Sequence, residues 1–253
     1  MRFASLGSGS RGNATLVEAG DTRVLVDCGF TLRELERRLG ILGVAPDSLS
    51  AILVSHEHGD HVRGVAAVSR RHGIAVRSTR GTARATDLAE VAGWEPFDAH
   101  AGSFRIGDFE ILPYAVPHDA REPCQFVLAG DRRRLGILTD AGRVTPHVRD
   151  MLVAVDALLL ECNHDADMLA TGPYPPALRA RVGGPLGHLS NAQAAALLAQ
   201  LECGRLAHVV AAHLSEKNNR PELARDALLD AACAVEGRLA VLVQDAPSRW
   251  FDL

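Results

Sequence analysis

Short apolar runs alternate with amphipathic stretches along the chain, and the period of each separates strand from helix. Thr15–Val17 and Val24–Asp27 flank Gly20-Asp21 and predict a hairpin. Leu32, Leu35 and Leu39 recur at helical spacing behind Thr31, with Glu34 three residues on, so Thr31–Leu39 reads as a helix opened by a capping box. The apolar Ile52–Val54 is a strand. Val65–His72 is helical, Ile74–Arg77 extended and Thr82–Val91 helical.

Two more hairpins follow. Phe104–Ile106 and Phe109–Val116 flank Gly107-Asp108, while Gln125–Leu128 and Leu135–Thr139 flank the polar turn Gly130-Asp131-Arg132. Pro146–Leu152 predicts a helix, Ala157–Leu160 a strand, and Gly172-Pro173-Tyr174-Pro175-Pro176 a loop. Asn191–Leu201 is a helix with Ser190 as its N-cap. Leu206–Ala211, Pro221–Val235 and Leu239–Val243 then read as strand, helix and strand. Hairpins followed by helices and further strands, twice over, fit two mixed sheets with helices outside them, an αββα sandwich. Without linker, repeat or low-complexity segment, residues 1–253 read as one domain.

Composition refines this picture only modestly. Hydrophobic content of 47% and charged content of 23% belong to a globular protein with a substantial core, and 4% aromatics leave that core to Ala, Val and Leu. A net charge of −4 argues against a globally basic nucleic-acid binder but leaves room for a local basic patch. Cys28, Cys124, Cys162, Cys203 and Cys233 are odd in number, widely spaced and free of any CxxC pair, which suggests a reducing cytoplasm rather than a disulfide framework. No export signal and no apolar run of ~18 residues is visible, so no membrane partner is expected.

The chemistry concentrates in Ser55-His56-Glu57-His58-Gly59-Asp60-His61, directly after an apolar strand. Neutral imidazoles and a carboxylate suit Zn²⁺ or a similar divalent ion. Side chains two residues apart in extended backbone point the same way, so His56 and His58 can grip one ion, and Asp60 and His61 a second. His118, Asp140 and His213 each follow an apolar strand, where a rigid scaffold holds a side chain open to solvent. Glu57 invites a His-Glu-x-x-His reading, but a suitable helix is missing. Cys28 and Cys162 read as small buried hydrophobes, and Arg132-Arg133-Arg134 as a solvated tip. The glycine-rich Gly7-Ser8-Gly9-Ser10 is either a tight loop or a way of bringing backbone N–H groups to the site.

Asp27, the His56/His58/Asp60/His61 cluster, His118, Asp140 and His213 occur in the order and context of the metallo-β-lactamase superfamily. With Leu6-Gly7-Ser8-Gly9-Ser10-Arg11-Gly12-Asn13, Glu161-Cys162-Asn163-His164-Asp165, Gly187-His188-Leu189-Ser190-Asn191 and Ala212-His213-Leu214-Ser215, the chain resembles the YycJ (WalJ, VicX) branch, kin of ribonucleases J and Z. The resemblance spans nearly the entire chain. It implies the αββα fold and a two-metal phosphodiesterase using a bridging hydroxide, with Zn²⁺ the first expectation and Mn²⁺ or Fe²⁺ also accepting these ligands. It assigns His56, His58 and His118 to one ion, Asp60, His61 and His213 to the other, and Asp140 to both. Asp27 would orient ligands. His188 would donate a proton or hold the phosphate, although it rivals His213 for the last ligand position. Asn163 and His164 would line the pocket, and the helix start at Ser190-Asn191 would aim N–H groups at the phosphate.

The activity so implied is a nuclease, first a 5′-to-3′ exonuclease on DNA ends, with RNA as a further substrate. The 47 residues between Asp140 and His188 are too few for the large accessory domain of ribonuclease J. A small cyclic or dinucleoside phosphodiester, as for PhnP-type enzymes, is the alternative substrate. A glyoxalase-II-like thioesterase and a non-catalytic metal-binding regulator of cell-wall signalling are alternative functions.

Overall fold

A computed structural model of the chain describes every residue except 232–234. Two compact units emerge: Met1–Ala115 with Ala120–Arg132 and Val243–Leu253, and Val116–Asp119 with Arg133–Leu242.

In the first unit, β1 (Arg2–Gly7), β2 (Ala14–Ala19), β3 (Thr22–Val26), β4 (Ala51–Leu53), β5 (Ala75–Thr79) and β6 (Trp94–Phe97) lie side by side in chain order. The C-terminal strand Phe251–Asp252 pairs with the outer edge of β1. Pairing is antiparallel through the β2–β3 hairpin, with Val17 opposite Val24, and parallel from β3 to β6. β3 and β4 are almost wholly buried, which is why they read as unbroken apolar runs. Helices α1 (Leu32–Ile41), α2 (Gly59–Val62), α3 (Val65–His72) and α4 (Arg80–Arg84) join these strands. Leu35 and Leu39 of α1 and Val65 and Val68 of α3 share a core with Leu25, Ile52 and Val76 of the sheet. β7 (Phe104–Ile106), β8 (Phe109–Ala115) and β9 (Cys124–Gly130) form an antiparallel meander.

In the second unit, β10 (Arg133–Leu138), β11 (Ala157–Glu161), β12 (His208–Ala212) and β13 (Leu239–Val241) are parallel neighbours, with Ile137, Leu159, Val210 and Ala240 in register. Helices α5 (Pro146–Leu152), α6 (Ala166–Thr171), α7 (Pro176–Val182), α8 (Asn191–Leu198) and α9 (Pro221–Asp230) connect them. Parallel pairing puts the carboxyl ends of adjacent strands at one edge. The edge of β3–β4 therefore carries Asp27 and His56, and that of β10–β12 carries Asp140, Glu161 and His213.

Several elements depart from the sequence reading. The helix expected over 82–91 splits, because Thr86 leaves helical geometry to cap Leu88 N and start a 3₁₀ turn over Asp87–Glu90. Only half of the first capping box forms. Thr31 accepts from Glu34 N, while the Glu34 carboxylate is taken by Arg37 and Arg38. β1, β6, α6 and α7 escape the pattern: small residues, a proline and short lengths give them little periodicity. α9 ends at Asp230 instead of Val235, and Cys233 lies outside the described residues. Asp131 and Arg132 both take left-handed φ, 52° and 61°, as the tight turn expected there requires. Among the described residues no helix is long and apolar enough to cross a membrane.

Candidate metal centre

The first unit gathers its imidazoles around one buried carboxylate. Asp27 ends β3 with φ 62°, and its N–H donates to Leu53 O at 2.8 Å. Its Oδ1 accepts from Ser55 N at 2.8 Å, and its Oδ2 from Ser55 Oγ and His61 Nδ1, each at 2.8 Å. Since the Ser55 hydroxyl hydrogen goes to Asp27, its oxygen accepts from His56 Nδ1 at 3.0 Å. Both imidazoles thus spend Nδ1 inside the protein and keep a lone pair on Nε2. The rings of His56 and His58 stand edge to face at 4.6 Å, those of His56 and His61 lie 4.2 Å apart, and His61 Nε2 is 3.5 Å from Asp60 Oδ2. His58 is the N-cap of α2, so one helical turn delivers Asp60 and His61 to the same place.

The second unit repeats the device. Glu161 is fully buried at the end of β11, and its Oε1 faces His188 Nδ1 at 2.8 Å and His213 Nδ1 at 3.3 Å. Its Oε2 accepts from Ala141 N at 3.0 Å and Leu189 N at 3.1 Å. One carboxylate thereby fixes two rings and the backbone beside Asp140. Burial opposes its charge, but the His188 cation and the hydrogen bonds from both imidazoles hold its carboxyl down to about 2. His188 responds in kind. Burial pulls it down, the Glu161 charge and hydrogen bond outweigh this, and it lies above the usual histidine range. His213 Nε2 is 3.4 Å from Asp140 Oδ1, and His188 and His213 stack with centroids 5.2 Å apart. His118 Nδ1 donates to Gly187 O at 3.0 Å, leaving Nε2 3.9 Å from Asp140 Oδ1. Asp140 and His213, like Asp27, sit in the left-handed region, at φ 54° and 56°. Asp140, Glu161, His188 and His213 each offer a donor atom within 4.8 Å of the others.

A family profile described as "Beta-lactamase superfamily domain" matches residues 22–213. The chain belongs to the beta-lactamase superfamily. Within the superfamily it is 32% identical over 228 residues to exodeoxyribonuclease YycJ of Bacillus anthracis, covering 89% of this chain and 86% of that one. To exodeoxyribonuclease WalJ of Streptococcus pneumoniae it is 31% identical over 229 residues, 88% and 85% of the two chains. The metallo-β-lactamase fold protein YhfI of Bacillus subtilis superposes with a TM-score of 0.76 over 98% of this chain and 99% of that one, at 14% identity. Two mixed sheets flanked by helices are the fold of this superfamily, and the chain is a metal-dependent hydrolase of it.

Superfamily membership implies divalent ions, and the donor set fits them. Imidazoles anchored through Nδ1, beside buried carboxylates, are the ligands of Zn²⁺ and its neighbours. Ser55 and Glu161 are the site residues that the sequence reading left without a role. Glu161 ends the apolar run 157–160, and a carboxylate closing a buried strand was the available signal. Asn163 is buried with its amide on His213 O at 3.0 Å. Asn191 pairs amide to amide with Asn219, and Ser190 and Gln193 close a complete capping box on α8. Asn191 N donates to His164 O and Gln193 N to Ser190 Oγ, so two of the N–H groups of this helix start are spent inside the protein. His164 is buried and lines a cavity of about 570 Å³ with Leu169, Ala170 and Arg179. Burial holds its pKa below the usual histidine range. Glu57 accepts from Arg121 N at 2.7 Å, a loop tie. Burial pushes the Cys28 thiol up to about 12 and the Cys162 thiol higher still, as inert core cysteines require.

Proposed function

We propose that this chain is a dinuclear metal-dependent phosphodiesterase acting as a nuclease, specifically a 5′-to-3′ exonuclease on DNA ends, and that residues 1–253 form one catalytic domain. The observation that carries it is the clustering of imidazole and carboxylate donor atoms, with His56, His61, His118 and His213 each anchored through Nδ1. The exodeoxyribonucleases YycJ and WalJ, similar over most of the chain, support DNA as the substrate.

In this proposal His56, His58 and His118 hold one ion, Asp60, His61 and His213 hold the other, and Asp140 serves both. When bound, the ions, Zn²⁺ first among them, would supply a nucleophile at neutral pH and offset charge on the phosphoryl oxygens. Asp60 and Asp140 hold the cations and orient the attacking water. His213 is favoured as the last ligand because it is buried with Nε2 toward Asp140, whereas the His188 side chain is 20% exposed. His188, anchored at Nδ1 by Glu161, has its other nitrogen left to protonate the departing oxygen. Asp27 keeps His61 and Ser55 in place. His164 lines the substrate side, and Asn163, Ser190 and Asn191 shape it from behind.

Digestion of 5′- and 3′-labelled DNA and RNA by zinc- or manganese-loaded protein tests the reading. Stepwise loss from the 5′ end of DNA, abolished in Asp60→Ala, is the expected outcome. Inert polymers with bis(p-nitrophenyl) phosphate still hydrolysed would replace the nuclease by an enzyme for small phosphodiesters. Hydrolysis of thioesters alone would sink phosphodiester chemistry altogether.

A further inference from the structure

The glycine-rich opening is the tight loop of the β1–β2 hairpin, closed by Gly12 N donating to Gly9 O at 3.0 Å, and it leads into Asn13. This side chain is 7% exposed and wedged between the loop and the metal-ligand cluster of the first unit. On the loop side its Oδ1 accepts from Gly9 N at 2.8 Å, and its Nδ2 reaches Gly9 O at 3.1 Å. On the cluster side the same Nδ2 lies 3.2 Å from Asp60 Oδ2 and 3.1 Å from His61 Nε2. The main chain reinforces the contact: Asn13 N donates to Asp60 O at 2.8 Å and Gly29 N to Asn13 O at 2.9 Å. Gly12 permits this approach. Its φ is +155°, and a Cβ there would come within 2.7 Å of the Phe30 ring.

An amide nitrogen has two hydrogens. With one turned to Gly9 O, the other faces Asp60 Oδ2 and His61 Nε2, the Asp60 carbonyl lying farther away at 3.4 Å. His61 Nδ1 already donates to Asp27, so Nε2 presents a lone pair, which is the atom a cation would take. Once that lone pair is taken, the hydrogen belongs to Asp60 Oδ2 alone. It then fixes the rotation of the carboxylate.

We infer that Asn13 is a positioning residue for the metal centre: its carboxamide aims the Asp60 carboxylate through a donor that neither Asp27 nor Ser55 supplies. The inference rests on the metal-site reading above.

Zinc affinity, read by competition with a chromophoric chelator, tests it in wild type, Asn13→Ala, Asp60→Ala and the double variant. Asn13→Ala is expected to weaken zinc binding by about 10- to 100-fold, the usual effect of removing a partner of a metal ligand. The double variant is expected to bind no more weakly than Asp60→Ala, because Asn13 acts through that carboxylate. Unchanged affinity in Asn13→Ala, or fully additive losses, would overturn the inference. Wild type that binds no zinc would instead overturn the metal centre. A measurement on wild type alone covers the case in which Asn13→Ala fails to fold. The Asn13 side-chain amide resonance is expected to shift on zinc addition and to keep one hydrogen protected from solvent exchange. An exchanging, zinc-insensitive amide would show that Asn13 is only loop structure.

Discussion

Asp27, Asp140 and His213 share a backbone conformation that side-chain-bearing residues rarely adopt, with φ of 62°, 54° and 56°. Each follows the carboxyl end of a parallel strand by one or two residues. Strain of this kind is held where the surroundings over-determine it. At Asp27 they are three hydrogen bonds to its carboxylate. Asp27→Asn tolerates the same φ but is a weaker acceptor for His61 Nδ1–H. It is therefore expected to keep the fold and lose about 10- to 100-fold in metal affinity, read by chelator competition. Glu161→Gln separates acceptance from shape. Four N–H groups point at two oxygens, and an amide has only one, so either orientation strands a pair of donors. A loss of about 2–4 kcal/mol is expected in urea unfolding with chelator present; unchanged stability would mean that Glu161 organises less than its contacts indicate.

At the scale of elements, α1 shows how a helix with few buried positions is secured. Arg38 is buried over the Phe30 ring, 4.1 Å from its centroid, and donates to Leu6 O, Gln244 O and Asp245 O, tying the helix to β1 and the C-terminal segment. Glu34 bonds both Arg37 and Arg38, and these hydrogen bonds hold its carboxyl down to about 2, against 4.5 unperturbed. A depressed carboxyl stabilises only where it is ionised. The contribution is complete above pH 4.5 and fades as the pH falls toward 2. Thermal melts of wild type and Glu34→Gln are thus expected to differ near neutrality and to converge across that window. α8 is secured locally instead. Ser190→Ala breaks its capping box and is expected to cost about 1 kcal/mol, measurable by calorimetry.

For the whole molecule, a ligand bound only by the folded state stabilises by mass action, about 2.7 kcal/mol at a hundredfold excess over Kd. Zinc is expected to raise the melting temperature of wild type reversibly, with a chelator restoring the original value. The same melts assign the two competing histidines. His188→Ala should keep the zinc-induced rise while cleavage falls about 10²- to 10⁴-fold, the range of a lost proton donor. His213→Ala should lose the rise itself. The reverse pattern would exchange their roles.

Residue type and local spacing specify which groups could bind a cation and which strands deliver them. His56 to His61 are contiguous, and Asp27, His118, Asp140 and His213 each follow an apolar run whose period is local. Local periodicity also placed α3 and α5 at Val65–His72 and Pro146–Leu152. What tertiary structure decided is everything that depends on who meets whom across the chain. Ser55 relays Asp27 to His56, Glu161 joins His188 to His213, and the amide of Asn13 is spent on Asp60 and His61. At the helix start expected to aim N–H groups at the phosphate, the Asn191 side chain pairs with Asn219 and that of Ser190 caps α8. Spacing along a chain fixes which donors exist. Which lone pair each one keeps depends on partners up to 69 residues away, and only folding brings those into hydrogen-bonding distance.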